Sequence, residues 1–331
     1  MMALGNWALL AALSCASLAW AGESELRGQV AQEDGWVGYR VPLVAGSGSS
    51  CCFSGIGNGD LRKTGCDLDS RKGAFLLEKN DAGSADQLSV YWHVVNGKPD
   101  RIHSYSADCP VSSAKEIRWI EPVEPAESIT TIAQWIEASP ASQDNYSSGL
   151  AAIAMHANQA ATAALIELAA SGKPDKLREE SVFWLGQARG AAGADFVERV
   201  ASTDPSGHMR KHAVFSLSQS NLEDAYSRVL KISKQDDSAE VRGKALFWMA
   251  QMKDPRAKAD IMAALERETS EGVREEAVFA LSQLDEKVAT EALIAVIRGN
   301  YPRPVKEKAL FWLGETGTDE ALAFLDDLLT R

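Results

Sequence analysis

Positive charge is in short supply along this chain. Lysine and arginine total 34 against 46 aspartates and glutamates, a formal net charge of −12. The deficit is spread over the whole length, −7 for residues 22–145 and −5 for residues 146–331. That excludes phosphate-driven binding of nucleic acid as the main role. Long apolar runs are missing as well: beyond the first 21 residues none approaches the ~20 residues of a membrane-spanning helix. Cysteine is absent after Cys109. No Gly-x-Ser-x-Gly, P-loop or dinucleotide fingerprint occurs. What remains is an ordinary globular balance, 45% hydrophobic and 24% charged in 331 residues, enough chain for two domains.

Residues 1–21 read as an address. They carry no charged side chain, hold an apolar core from Ala8 to Leu18, and end in the small-x-small pattern Ala19-Trp20-Ala21. This is the pattern of a secretory signal cut after Ala21, although Met1–Trp7 lacks the usual lysine or arginine. The apolar stretch is short for an uncleaved anchor. Ala12-Leu13-Ser14 is a poor lipid-attachment signal ahead of Cys15. The expectation is export, periplasmic or secreted.

Removing the signal leaves Cys51, Cys52, Cys66 and Cys109, all in one short region. An even count in an exported domain reads as two disulfides, with three pairings open. Adjacent residues fit disulfide geometry poorly, so Cys51 and Cys52 are expected to bond to Cys66 and Cys109 rather than to each other. A four-cysteine zinc site is the alternative, but the adjacent pair has the wrong spacing for a zinc ribbon.

Residues 22–121 form a small β-rich domain of about five strands by pattern. The β-favouring runs are Gly35–Val44, Gly73–Glu78, Leu88–Val95, Arg101–Ser106 and Glu116–Ile120. Asn96-Gly97 between the third and fourth is a strong hairpin signal, because both residues tolerate positive φ. His93 and His103 fall on opposite arms of that hairpin, where cross-strand packing is a better reading than a two-ligand metal site. Asp67-Leu68-Asp69 begins like a calcium loop but lacks the closing glutamate and glycine. Residues 122–145 are a linker and capping helix, Ile129–Ala138, with Ser128 as its expected N-cap.

From residue 146 to 331 the sequence repeats. Phe183, Phe215, Phe247, Phe279 and Phe311 stand 32 residues apart. Two further columns run through six units. One is Ile153, Leu185, Leu217, Met249, Leu281 and Leu313, and the other is Leu168, Val200, Ile232, Ala264, Val296 and Leu328. Within a unit the spacing is helical, as in Val241, Ala245 and Met249. Six gapless units of this length mean an α-solenoid, in which each helix pair buries its apolar face against its neighbours. The fold class is therefore α+β multidomain, with an α-solenoid of helix pairs preceded by a small disulfide-stapled β domain.

The unit Val241-Arg242-x-x-Ala245-Leu246-x-x-Met249-Ala250 resembles the HEAT-like repeat of the phycobilisome-lyase type. The chain as a whole resembles bacterial exported HEAT-repeat proteins with an amino-terminal β domain. The resemblance specifies fold and not activity. It places Arg178, Arg210, Arg242, Arg274 and Lys306 in the basic column of such repeats. With Asp204 and Asp236 standing six residues before two of them, it implies a ladder that ties successive units.

The phenylalanine column departs from that pattern. On a helical projection its neighbours are Glu179, Glu180 and Gln187 in one unit, and Glu275, Glu276 and Gln283 in another. The column thus runs down a polar face. Two readings are open: each ring folds sideways into the groove between successive helices, or the five form an exposed aromatic ridge that docks a partner. Trp184, Trp248 and Trp312 follow phenylalanine in alternate units, with Ser216 and Ala280 between them, as interdigitating layers require. Gln187, Gln219, Gln251 and Gln283 end the first helix of their units and are expected to form a further structural ladder. Leu230, Met262 and Ile294 form an apolar strip on the second helix, either a binding face or core between repeats.

Reactive constellations are scarce. Some HEAT-repeat proteins are iron-dependent hydroxylases built on His-Glu dipeptides, and this chain has none. His208 and His212 are spaced like a zinc helix, but the glutamate between them is missing. Lyase chemistry, known for relatives of the repeat, is not implied by a cysteine-free solenoid. The expectation is a non-enzymatic exported scaffold or adaptor without cofactor or metal. It would bind a protein through Phe183, Phe215, Phe247, Phe279 and Phe311, or through Leu230, Met262 and Ile294. The alternatives are an enzyme or metal- or ligand-dependent accessory factor with its site in the β domain, and a self-assembling structural protein.

Overall fold

The structure is a computed structural model that describes residues 25–45, 49–56, 60–63, 65–70, 75–78, 85–139 and 143–330. The signal reading for residues 1–21 lies outside them. Contacts divide the chain into two compact units, the first ending at Leu168 and the second beginning at Ala169. The first pair of the 32-residue register, ahead of Leu168, belongs to the first unit.

That unit begins with a short helix, α1 (Glu25–Ala31), which the sequence pattern did not signal. Then come β1 (Gly35–Pro42), β2 (Ser49–Ile56), β3 (Asp60–Lys63), β4 (Cys66–Asp67), β5 (Phe75–Glu78), β6 (Gln87–Val95), β7 (Lys98–Ser106), β8 (Val111–Ser112) and β9 (Arg118–Trp119). Helices α2 (Pro125–Ala138), α3 (Gln143–Met155) and α4 (Gln159–Leu168) complete it. The main sheet runs β7-β6-β1-β9, antiparallel except for the β1–β9 edge. Asn96 and Gly97 close the β6–β7 hairpin with φ of 51° and 70°, as the dipeptide predicts.

Pairing of Val37 with Trp92, Tyr39 with Val90 and Val41 with Leu88 sets the sheet's register. Alternation then gives the sheet two apolar faces. One carries Val37, Tyr39 and Trp92 and meets α2, where the Trp135 ring lies 5.3 Å from Trp92, edge to face. The other carries Trp36, Tyr91 and Tyr105 and packs on Leu68 and the buried cysteines. Two disulfides staple that second face, Cys51–Cys109 (S–S 1.99 Å) and Cys52–Cys66 (S–S 2.07 Å).

Ser128 does not cap α2. The helix starts a turn earlier, with Glu124 at the N-cap and Pro125 in the first turn, where a missing N–H costs nothing. Ser128 is instead fully buried on the face that meets β1.

The second unit is helical throughout. Helices α5 (Asp175–Ala188), α7 (Gly207–Ser218), α9 (Ala239–Gln251), α11 (Glu271–Ser282) and α13 (Arg303–Thr316) begin 32 residues apart. Each is followed by a second helix: α6 (Gly190–Thr203), α8 (Ala225–Gln235), α10 (Ala257–Arg267), α12 (Glu286–Arg298) and α14 (Asp319–Thr330). Leu185, Leu217, Met249, Leu281 and Leu313 are all fully buried, so the first helices share one continuous core. Gly186 permits the approach of α5 to α7, since a Cβ there would lie 2.8 Å from the Ser216 carbonyl oxygen.

Candidate binding surfaces

The basic column builds rungs between units. Arg178 pairs with Asp204, Arg210 with Asp236 and Arg242 with Glu268, each carboxylate standing 26 residues beyond its arginine. Arg210 donates from Nε and Nη2 to the two oxygens of Asp236 at 2.9 and 3.2 Å. Arg242 grips Glu268 in the same two-pronged way, at 2.9 and 3.0 Å. The arginine also reaches back to its own loop: Arg210 Nη1 donates to the Asp204 carbonyl, and Arg242 Nη1 to that of Asp236. The three carboxylate side chains are 7%, 3% and 7% exposed, so each rung is a shielded, charge-assisted bond that fixes one unit on the next.

The phenylalanine rings form a second spine. Phe183 stacks on Phe215 at 5.9 Å, and Phe247 stacks on Phe279 at 5.7 Å, with the ring planes nearly parallel in both pairs. At the junctions between these pairs the partner is an indole: Phe215 meets Trp248 at 4.8 Å and Phe279 meets Trp312 at 4.9 Å. The alternation of tryptophan with Ser216 and Ala280 thereby has a physical reason. Where the next unit offers a small residue, phenylalanine meets phenylalanine; where it offers tryptophan, the indole takes the place. Geometry of this kind adds about 0.5–1.5 kcal/mol per pair beyond area burial. Four of the five rings are half-buried in this way, and Phe311 alone is largely exposed, at 57%.

Leu230 and Met262 are half-buried on the second helices, and Ile294 is buried. Ion pairs bridge successive second helices beside them, Arg228 to Glu198 and Lys258 to Glu291. The glutamine column lies at the ends of the first helices. Gln219 and Gln283 donate to the serine just before them, and Gln187 Oε1 is buried without a hydrogen-bond partner among the described residues.

The surface that the sequence did not single out is on the last helix pair. The register that buries Val200, Ile232, Ala264 and Val296 leaves Leu328 45% exposed on α14. Leu322 and Leu329 are exposed beside it in sequence, and Phe311 stands on the companion helix α13. α14 surrounds its apolar residues with Asp319, Glu320, Asp326 and Asp327 and carries no cation.

The remaining chemical candidates are engaged in structure. His208 and His212 turn to different partners, the Glu179 carboxylate at 2.8 Å and the Glu179 carbonyl at 2.7 Å. Asp69, from the calcium-like run, accepts from the Trp36 indole N–H at 2.8 Å and from the Ala114 backbone N–H at 2.5 Å. The sulfurs of Cys51, Cys66 and Cys109 lie within 4.8 Å of one another, but all are spent in disulfides. One buried network escaped sequence reasoning. Ser128 Oγ lies 2.7 Å from the Tyr39 hydroxyl and 2.9 Å from His156 Nε2, while His156 Nδ1 meets the Ala152 carbonyl at 2.7 Å. All three side chains are sealed from solvent, and burial pushes the Tyr39 hydroxyl up to about 12. The network pins α2 and the end of α3 to β1.

His93 and His103 do not pair across the hairpin, since His93 faces Arg101 and His103 faces Tyr91. Both rings instead lie against Trp36, at 4.8 and 5.6 Å. Burial, with help from Arg101 and His93, pushes the His103 imidazole down to about 4. Its Nε2 is buried without a hydrogen-bond partner among the described residues. Between pH 6.5 and 4 the unfolded chain then takes up a proton that the folded one refuses, so stability falls as the pH drops through this window. The expected loss is about 3 kcal/mol, levelling off below pH ~4. Urea titrations at pH 7 and 4 check it, with His103→Phe expected to lose most of that dependence.

Residues 226–311 match the family of HEAT repeats. The chain therefore carries a HEAT-repeat region, and such repeats generally mediate contacts between proteins. No curated protein matches the chain. Among the solved structures similar to it is human deoxyhypusine hydroxylase in complex with glycerol. The likeness covers 57% of this chain and 84% of that one, at 15% sequence identity and a TM-score of 0.32.

Proposed function

We propose that this HEAT-repeat protein is a non-enzymatic, exported adaptor that docks another protein on its helical unit. The observation that carries this reading is the uncovered apolar surface of the last helix pair, Phe311, Leu322, Leu328 and Leu329. Large apolar side chains left exposed on neighbouring helices fit an interaction site. The acidic rim of α14 speaks against a second copy as the occupant, because a twofold contact would set four acids of one chain against the same four of the other. A partner with an apolar centre and a basic margin fits instead.

Support for the non-enzymatic part comes from the side chains. Among the described residues the histidines, buried serine and cysteines are engaged in packing, hydrogen bonds and disulfides, and the sequence holds no His-Glu dipeptide. Support for export comes from the uncharged, apolar residues 1–21 and from two disulfides, which persist in oxidising compartments. The protein isolated from its native cells is expected to begin at Gly22.

Light scattering at micromolar concentration separates the adaptor from a self-assembling protein. The mass expected is that of one chain. A dimer that Leu328→Ser with Leu329→Ser returns to monomer would overturn the adaptor reading in favour of self-assembly.

A further inference from the structure

The arginine ladder has a rung that the chain itself does not complete. Arg274 stands in the column of Arg178, Arg210 and Arg242, and the rule of 26 residues leads from it to position 300. The three earlier units place Asp204, Asp236 and Glu268 there; this one places Asn300. Asn300 is exposed and carries no charge to offer. Among the described residues, Arg274 Nε is buried without a hydrogen-bond partner and its guanidinium joins no ion pair. A buried donor left unpaired loses the full cost of its desolvation, which is why such groups are rare in native structures.

The surroundings differ in charge as well. Residues 298–308 carry Arg298, Arg303, Lys306 and Lys308 against the single acid Glu307, although the chain as a whole is strongly acidic. The corresponding stretch one unit earlier, 266–276, holds Glu266, Glu268, Glu271, Glu275 and Glu276 against two arginines. Arg303 pairs with Glu307, whereas Lys306 has no ion pair among the described residues. The loop before α13, residues 299–302, is thus uncharged where its predecessors supply an acid, and basic residues of α12 and α13 flank it, of which Lys308 pairs with Glu275.

We propose that Arg274 is a binding site for a carboxylate from outside the chain, held as Arg210 holds Asp236 and Arg242 holds Glu268. The ladder itself is the precedent, since the same arginine position receives a shielded carboxylate three times in this molecule. A planar guanidinium with a buried Nε–H matches a carboxylate, whose two oxygens accept from Nε and Nη2 side by side. The carboxylate can belong to an acidic side chain of a protein segment or to a small free acid. The site stands whether or not the apolar surface of α14 docks a protein.

The test uses the full mature chain labelled with 15N-arginine, in which each buried Nε–H gives its own resonance. The signal lost in Arg274→Lys identifies Arg274. Titration with sodium acetate, against sodium chloride at equal ionic strength, is expected to move that signal in a saturable way while those of Arg210 and Arg242 stay put. A short capped peptide containing aspartate and glutamate serves as the second probe. Saturation at lower concentration than acetate identifies a protein segment as the natural source, and the reverse identifies a small acid. Asn300→Asp is expected to shift the Arg274 signal without any ligand and to abolish both titrations, with Asn300→Glu doing the same through the longer side chain found at Glu268. An Arg274 signal that neither acid moves, or that acetate and chloride move alike, overturns the proposal. So does a titration that survives in both Asn300 variants.

Discussion

Asp236→Ala is expected to remove about 3 kcal/mol from the helical unit, several times the loss from its exposed neighbour in Asp237→Ala. Asp236 takes two hydrogen bonds from Arg210 and a third from the Ser238 backbone N–H at 2.8 Å, at the start of α9. Its side chain is 3% exposed and that of Arg210 15%. Alanine therefore leaves a largely shielded guanidinium with only the Asp204 carbonyl and removes a helix-start acceptor in the same step. Because solenoid stability is a sum of unit and interface terms, the weakened interface is the one between α7 and α9, and the unfolding transition should broaden as well as move. Urea unfolding followed by circular dichroism reads both effects. A loss no larger than that of Asp237→Ala would show that the rung does not hold the units together.

The disulfides are expected to have effects as large on the first unit. Cys51→Ser with Cys109→Ser opens a loop spanning 58 residues, and chain entropy puts the cost at about 4 kcal/mol. Cys52→Ser with Cys66→Ser opens one of 14, for about 3 kcal/mol. The larger bridge also sits deeper, with Cys51 fully buried beside Trp36, Tyr91 and Tyr105, so removing it uncovers the second face of the sheet. Intact mass should rise by about four hydrogens on full reduction. Unchanged mass, or a greater loss from the shorter bridge, would contradict this assignment.

The two units differ in how much of them the sequence discloses. The helix pairs are legible because a period of 32 residues repeats the same apolar side chains at the same helical phase, and the first helices begin at that period in the structure. The β6–β7 hairpin is legible because Asn-Gly demands one turn type. Strands β4 and β8 are not, because a two-residue strand has no alternation to detect, and β2 holds three serines and a glycine among its eight residues, too few apolar side chains to stand out. Ser128 has the composition of a cap and the position of a core hydroxyl, and only the contact with Tyr39 and His156 separates the two.

The binding surfaces follow the same division. A helical projection places the phenylalanine column on a polar face, but it cannot say how far each ring leans toward the next helix. The stacking distances of 5.7 and 5.9 Å supply that. Leu328 has the side chain of a core position and the exposure of a surface one, so its residue type conceals its role. The interrupted rung at Arg274, by contrast, stands in the sequence once the spacing of 26 residues is known. Asp204, Asp236 and Glu268 give way to Asn300.

The adaptor reading is tested most directly by crosslinked capture of the mature protein from its own cell envelope. Mass spectrometry then maps the crosslinked residues. The account predicts a single different protein, crosslinked near α13 and α14 through Lys306 or Lys308 and lost when Leu328 and Leu329 become serine. Crosslinks that join only copies of this chain, or a partner retained by the serine variant, would contradict it.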